Sequence, residues 1–521
     1  MAKKTVVAAG VVIALAAAWG GASWFTGKQI EQHMGEVTNN LNGELKNAYP
    51  QAGVKVAFRD YQRGLFKSQV ALVLQSDGSN ANEHLLGANE EVVFNTTVFH
   101  GPFPLTGNQF SLKPAMAAVH SELANTESVK ALFELTKNKP FITANSRIDY
   151  NGDTHSAVTL EALDVTDQDM KVNFSGTTLL VDLAGDLRAG KVAGNVAGNV
   201  ASLTMEKTNL QGPNEKLTLQ DLALNSDTRK GKFDLEIGDA RLTLKKLALN
   251  VQSGDSLVLN DFSLINHTTE DDANLAGQLA LSLGSALFRD QNLGSWNLNF
   301  NFSGLDGKGT RQFMTEYQKN LQSMLQNIDH VPPEVYNQQL AALVLHNLPQ
   351  LLKGNPSIKI APFSWKNGKG ESTFTLALDL TDPLQKSAAP TGQLSDEEAI
   401  IRQSVKNIEA RLNVPLDMVT ELMVQTAAKP GSDAEKKQLE QMARQQAQLM
   451  ANIGQMSQIT VTKDNTITSS LQYTDGTVTF NGRKTPLAEF IAPFITQPAE
   501  NVPEQGDDAP EAPQPDASVS P

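Results

Sequence analysis

The sequence predicts an α+β protein: an N-terminal transmembrane helix, a long curved antiparallel β-sheet with bulged strands and helical insertions, and a helix-rich C-terminal part. Three observations carry this. Residues 5–24 carry no charge, Val54 to about Gly304 alternates with a period of two, and helical spacing of apolar residues dominates after about Thr310.

Lys3 and Lys4 precede the run from Thr5 to Trp24. About twenty apolar residues are needed to cross a hydrocarbon core of about 30 Å, whereas a signal-peptide core is about 7–15. Length therefore favours an uncleaved anchor over a cleaved signal peptide, for which Gly20 and Ala22 would supply the small residues before the cut. Lysines stay on the cytoplasmic side, so the body is expected in the periplasm of a single-pass inner-membrane protein. Trp19, Trp24 and Phe25 suit an aromatic belt at the far interface. Gly10, Ala14, Ala18 and Ala22 lie four apart, a stripe on which a second backbone could approach, and a homodimer is the expectation.

Residues 26–53 continue as a membrane-proximal helix. Ile30, Met34, Val37, Leu41 and Leu45 fall at 3/4 spacing, facing either the body or a second copy, and Pro50 and Gly53 end it. The β region, residues 54–304, opens with VKVAFRDYQRG and LFKSQVALVLQ around Gly64, then EVVFNTTVF into His100-Gly101-Pro102. Met116, Val119, His120 and Leu123 share one helical face, predicting a helix there. Four segments then repeat one pattern: Val158-x-Leu160-x-x-Leu163-x-Val165, Leu217-x-Leu219-x-x-Leu222-x-Leu224, Leu242-x-Leu244-x-x-Leu247-x-Leu249 and Leu257-x-Leu259-x-x-Phe262-x-Leu264. The single three-residue step would turn half of each strand to the wrong face unless a bulge absorbs it, and a bulge bends the strand.

Residues 305–497 form the helical and hairpin region. Met314, Tyr317, Leu321, Met324 and Ile328 make one stripe and Leu340, Val344 and Leu348 another. A hairpin turns at Asn367-Gly368, helices start near Ser395 and Ser432 with capping boxes, and a last hairpin turns at Asp475-Gly476. Residues 498–521 hold six prolines and six acids with no Lys or Arg, the composition of a disordered tail.

Tyr61-x-Arg63-Gly64-Leu65-Phe66-x-Ser68, then His100-Gly101-Pro102, then Leu351-Leu352 with Pro356 before the IKI hairpin, and Thr479-x-Asn481-Gly482 together resemble the YdgA family of Gram-negative envelope proteins. The resemblance covers the chain to about Ile495. It implies an inner-membrane, periplasm-facing protein of a family without an assigned function, and it supplies no catalytic residues.

The chemistry-bearing motifs are sparse. There are 43 Lys and Arg against 57 Asp and Glu, net charge −14, which disfavours nucleic acid as a partner. With no cysteine, disulfides and Cys-ligated metals are excluded. Gly185 to Val192 satisfies GxxxxGK but has Val192 where a phosphate loop needs Ser or Thr. Asp164, Asp167 and Asp169 cluster as loop acids rather than as a calcium site, and the eight histidines are scattered. No catalytic residue, metal site or cofactor is assigned. His100 reads as a strand cap and Arg63-Gly64 as turn chemistry. Two features point to function of another kind: the curved apolar sheet, and the adaptable methionines Met418, Met423, Met442, Met450 and Met456. The expected role is a non-enzymatic homodimeric envelope scaffold, with binding or transfer of a lipid or other apolar ligand on the sheet as the alternative.

Overall fold

The computed structural model describes residues 2–48, 52–78, 86–87, 89–106, 109–110, 113–167, 169–184, 193–207, 214–251, 253–325, 342–343, 346–383, 396–427 and 433–495, with the side chains of residues 1–17 left undescribed. The side chains of the dimer-stripe residues Gly10 and Ala14, and the whole of the Gly185–Val192 loop, of Leu340 and Val344 in the second helical stripe, and of the acidic tail lie outside what is described. No helix is long and apolar enough to cross a membrane among the described residues.

A single helix, α1 (Ala2–Ala48), runs through both the segment expected to be an anchor and the helical segment expected after it. Its buried positions Ser23, Thr26, Gly27 and Thr38, with half-buried Trp19, Ile30, Met34 and Val37, recur at 3/4 spacing and so form one stripe. That stripe lies along the first strand of the sheet. Ile30, Met34 and Val37 therefore face the body, while Leu41 is exposed. Asn42 fixes the far end, donating from Nδ2 to the Val56 carbonyl at 2.8 Å and accepting the Val56 N–H at 2.7 Å.

Among the described residues an open antiparallel sheet of 22 strands makes up most of the rest, beside a separate two-stranded sheet of Leu105–Thr106 and Gln109–Phe110 and the further helices. The large sheet starts with β1 (Val54–Arg63), β2 (Lys67–Ser76) and β3 (Glu91–His100), continues through Ala117–Leu123, Ile142–Ile148 and Thr154–Leu160, and reaches five long strands: Ala193–Lys207, Glu215–Lys230, Glu236–Asn250, Ser256–Glu270 and Asn274–Phe288. Strand Gln291–Asp306 then pairs with Ser357–Asn367, so the sheet passes unbroken from residues 54–304 into the C-terminal region and ends on the hairpins after Val405–Pro415.

Two helical expectations fail. Met116, Val119, His120 and Leu123 lie not on a helix but on or beside strand Ala117–Leu123, held between β3 and Ile142–Ile148. A seven-residue segment can carry apolar residues at either period, and two flanking strands that each need its backbone hydrogen bonds decide the matter. The hydroxyls of Thr96 and Ser121, 2.9 Å apart, tie it to β3. The helical block after Ser395 is likewise divided: helix Asp396–Ser404, strand Val405–Pro415, helix Leu416–Ala427. The helix expected from Ser432 spans Asp433–Met456.

The three-residue steps form one crease. Residue Asp221 sits opposite Lys245, Lys245 opposite Asp261, and Asp261 opposite Gly284, because each register skips one residue on both strands at the same line. Asp221 and Asp261 take φ of 49° and 53°. This left-handed conformation is tolerated by Asp and restores the pleat after the step. Gly284 belongs there for a steric reason, since a Cβ on it would lie 2.8 Å from the Cβ of Asp261. Further copies of the pattern appear in the paired strands, with Gly198, Val200, Leu203 and Met205 on one side and Leu281, Leu283, Ala286 and Phe288 on the other. Their Gly and Ala positions hid them in the sequence.

Candidate functional site

The residues of the Tyr61–Ser68 and His100–Pro102 patterns, 32 or more positions apart in the chain, meet under α1. Antiparallel pairing of β2 with β3 sets Ser68 beside Val98, two residues from His100. The Ser68 hydroxyl donates to His100 Nε2 at 2.8 Å, Tyr61 donates to Ser68 Oγ at 3.1 Å, and His100 Nδ1–H points at the Leu65 carbonyl at 3.3 Å. One chain of donors thus runs Tyr61, Ser68, His100, Leu65, and it fixes the imidazole in the Nδ1–H tautomer. Ser68 is wholly buried and His100 is 1% exposed. Burial pushes the His100 pKa below its ordinary value, with the Arg63 charge adding to the effect, against hydrogen bonds to the Leu65 and Ser23 backbone.

Helix α1 closes this socket. Ser23 Oγ donates to the Gly101 carbonyl at 2.7 Å, and Gly27 lies flat against the His100 ring. Trp19 stacks on Phe66 with centroids 4.8 Å apart. The Arg63 guanidinium sits 5.5 Å from the Trp24 ring centroid and pairs with Glu31 at 3.1 Å. Gly64 keeps the β1–β2 turn tight, since its N–H bonds the Lys67 carbonyl at 2.8 Å and a Cβ would be 2.8 Å from that same oxygen. A Ser hydroxyl on an imidazole is also how a nucleophile is paired with its base. Here the hydroxyl is engaged on both sides and the ring is capped by a helix, so the arrangement joins α1 to the sheet.

The comparisons fit a pattern that spans the chain. The model of the bacterial protein family of unknown function DUF945 matches residues 1–488. The chain belongs to the DUF945 family. It is 34% identical over 513 residues to Protein YdgA of Escherichia coli (strain K12), covering 96% of this chain and 98% of that one. It is 28% identical over 514 residues to the uncharacterized protein YihF of the same organism, covering 93% and 98%. No solved structure matches.

The second feature of this DUF945 protein is its central sheet. Across the long strands apolar residues stand side by side in rows: Val200, Leu222, Leu244, Phe262, Leu283 and Trp296 in one, Leu224, Leu242, Leu264, Leu281 and Leu298 in the next. The helix Leu416–Ala427 lies over strands from Gln291–Asp306 to Val405–Pro415, and the buried clusters around Tyr473 and Leu416 are also C-terminal. On strands 193–288 most of the rows stay half-exposed, and Met205, Leu224, Leu249 and Leu257 are 37–41% exposed. Five strands at about 4.8 Å spacing make this surface about 19 Å wide, on the scale of one extended acyl chain. Of the methionines, Met418 is buried, Met423 packs near Leu416, and Met442, Met450 and Met456 are exposed on one helix. Ala18 is exposed and Ala22 half-buried. Among the described residues no group of three metal-ligating side chains is assembled. In the sequence alone Arg63-Gly64 reads as turn chemistry and His100 as a strand cap, each by itself. Their convergence on α1 was not visible, because it depends on the β2–β3 register.

Proposed function

We propose that this chain is a cell-envelope protein, anchored in the inner membrane with a periplasmic body, that binds an apolar chain such as a lipid acyl group along the creased face of its central sheet. The observation that carries the reading is the set of Leu rows on strands 193–288, mostly half-buried, with Leu224 and the neighbouring Met205, Leu249 and Leu257 exposed, whereas Val70, Val73, Val93 and Val98 toward one end of the sheet and Tyr473 and Val478 toward the other are buried. Large contiguous apolar surface is costly to leave in water and marks a ligand or partner site. Covering it with an acyl chain contributes about 0.8 kcal/mol per buried methylene.

The test is the phospholipid content of the full chain purified in detergent, read by mass spectrometry, beside a Leu224→Asp/Leu249→Asp variant. The wild type is expected to retain lipid that the variant loses. Equal lipid in both would withdraw the reading and favour the homodimeric scaffold.

A further inference from the structure

We infer that the socket end of the body is itself immersed in the outer interface of the membrane, so that the β1–β2 turn and the segment after β3 form an apolar collar around α1. This rests on the anchor reading above. The argument is one of length. If Thr5 to Trp24 spans the bilayer, Trp24 marks the outer boundary of the span. Yet Trp19 stacks on Phe66 of the β1–β2 turn, and Trp19 lies five residues, about 7.5 Å of helix, on the membrane side of Trp24. Moving the span inward does not free the body. Thr5 to Ala18 is only fourteen residues, about 21 Å, against a hydrocarbon core of about 30 Å. Whatever touches Trp19 therefore enters the membrane.

The surface there is suited to it. Trp24, Phe25, Leu65, Phe66, Leu105 and Tyr150 are 38–58% exposed around the exit of α1. They share one end of the sheet: Leu65 and Phe66 lie in the turn under α1, Leu105 follows Gly101 in the chain, and the Tyr150 hydroxyl approaches Gly101. Aromatic rings with one polar edge, and Lys or Arg beside them, favour the headgroup level. Lys28 stands 5.7 Å from the Trp24 ring and is exposed, as is Lys67 at the start of β2. The occupant of this patch is the lipid of the membrane that the same helix enters.

The chain has no cysteine, so single labels are clean. Full-length Leu65→Cys, Leu105→Cys and, at the far exposed helix, Met456→Cys proteins carry an environment-sensitive fluorophore in vesicles of phosphatidylethanolamine and phosphatidylglycerol. Labels at 65 and 105 are expected to be quenched by doxyl-labelled lipid and shielded several-fold from aqueous iodide, with the reverse at 456. Protein that floats with the vesicles but shows aqueous labels at 65 and 105 overturns the collar alone. Shielding from iodide without lipid quenching means a protein cover and also overturns it. Protein that fails to float overturns the anchor and the collar together.

Discussion

Gly27 of α1 lies against the imidazole of His100, so close that a Cβ at position 27 would overlap the ring. The helix that leads toward the proposed membrane span is thereby seated on the one histidine that is buried among the described residues. The joint tolerates no side chain there. Gly27→Val is expected to lift this part of α1, and overpacking of this kind costs about 1–3 kcal/mol. Hydrogen exchange should show faster amide exchange over residues 25–48 with the central strands unchanged. Unchanged protection in α1 would mean that the joint relaxes around the new side chain.

Acid should loosen the same joint. His100 is neutral in the fold and its pKa is pushed down by burial, so between the folded value and the ordinary 6.5 the unfolded chain binds more protons. Its contribution is complete above about 6.5 and is lost as pH falls through the folded value. Glu31, Arg63, Lys28, Tyr61 and Tyr150 face the socket from α1, the β1–β2 hairpin and the turn after Ile142–Ile148. Melting temperature followed from pH 7.5 to 5 should fall more steeply for the wild type than for His100→Gln. Parallel curves would show that another group controls the acid limb.

The crease can be tested by its tightest point. Gly284→Ala places a methyl 2.8 Å from the Asp261 Cβ and should destabilise by about 1–3 kcal/mol. Asp261→Gly removes that Cβ and suits φ of 53°, at the loss of the exposed ion pair with Lys245, an interaction of about 1 kcal/mol or less. The double variant should be more stable than the two single effects summed. Simple additivity in denaturant titrations would separate the two positions.

The half-exposed rows separate binding from folding. Leu224 and Leu249 are already 38% and 40% exposed, so Leu224→Asp and Leu249→Asp should change the melting temperature little. Leu283→Ala, on a buried member of the same rows, should cost about 2–5 kcal/mol. A large loss of stability for the two Asp variants would show that those leucines are part of the core.

Much of this architecture is legible in the sequence because its signals are local. The period-two strands, the Asn367-Gly368 and Asp475-Gly476 turns and the helix from Ser432 require only neighbours along the chain. The three-residue step between Leu219 and Leu222 correctly marks a break in the alternation, but no bulge absorbs it: Asp221 and Lys245 are passed over together and the register is unshifted. What the step cannot reveal is that the breaks face one another, since the alignment of Asp221, Lys245, Asp261 and Gly284 is a property of register. The strand at Ala117–Leu123 is not legible because its apolar positions fit a helix equally well and its flanking strands arrive from distant sequence. His100 reads as a strand cap for the same reason: its partners Ser68, Leu65 and Gly27 lie 32, 35 and 73 positions away.

The central claim is that an apolar chain lies on the creased sheet, and the most direct measurement is photocrosslinking from that surface in the native envelope. With a photoactivatable residue at Leu249 in the full chain, the account predicts an adduct whose added mass is that of a phospholipid, lost when Leu224→Asp is introduced beside it. An adduct with a second copy or another protein, or no adduct at all, would contradict it.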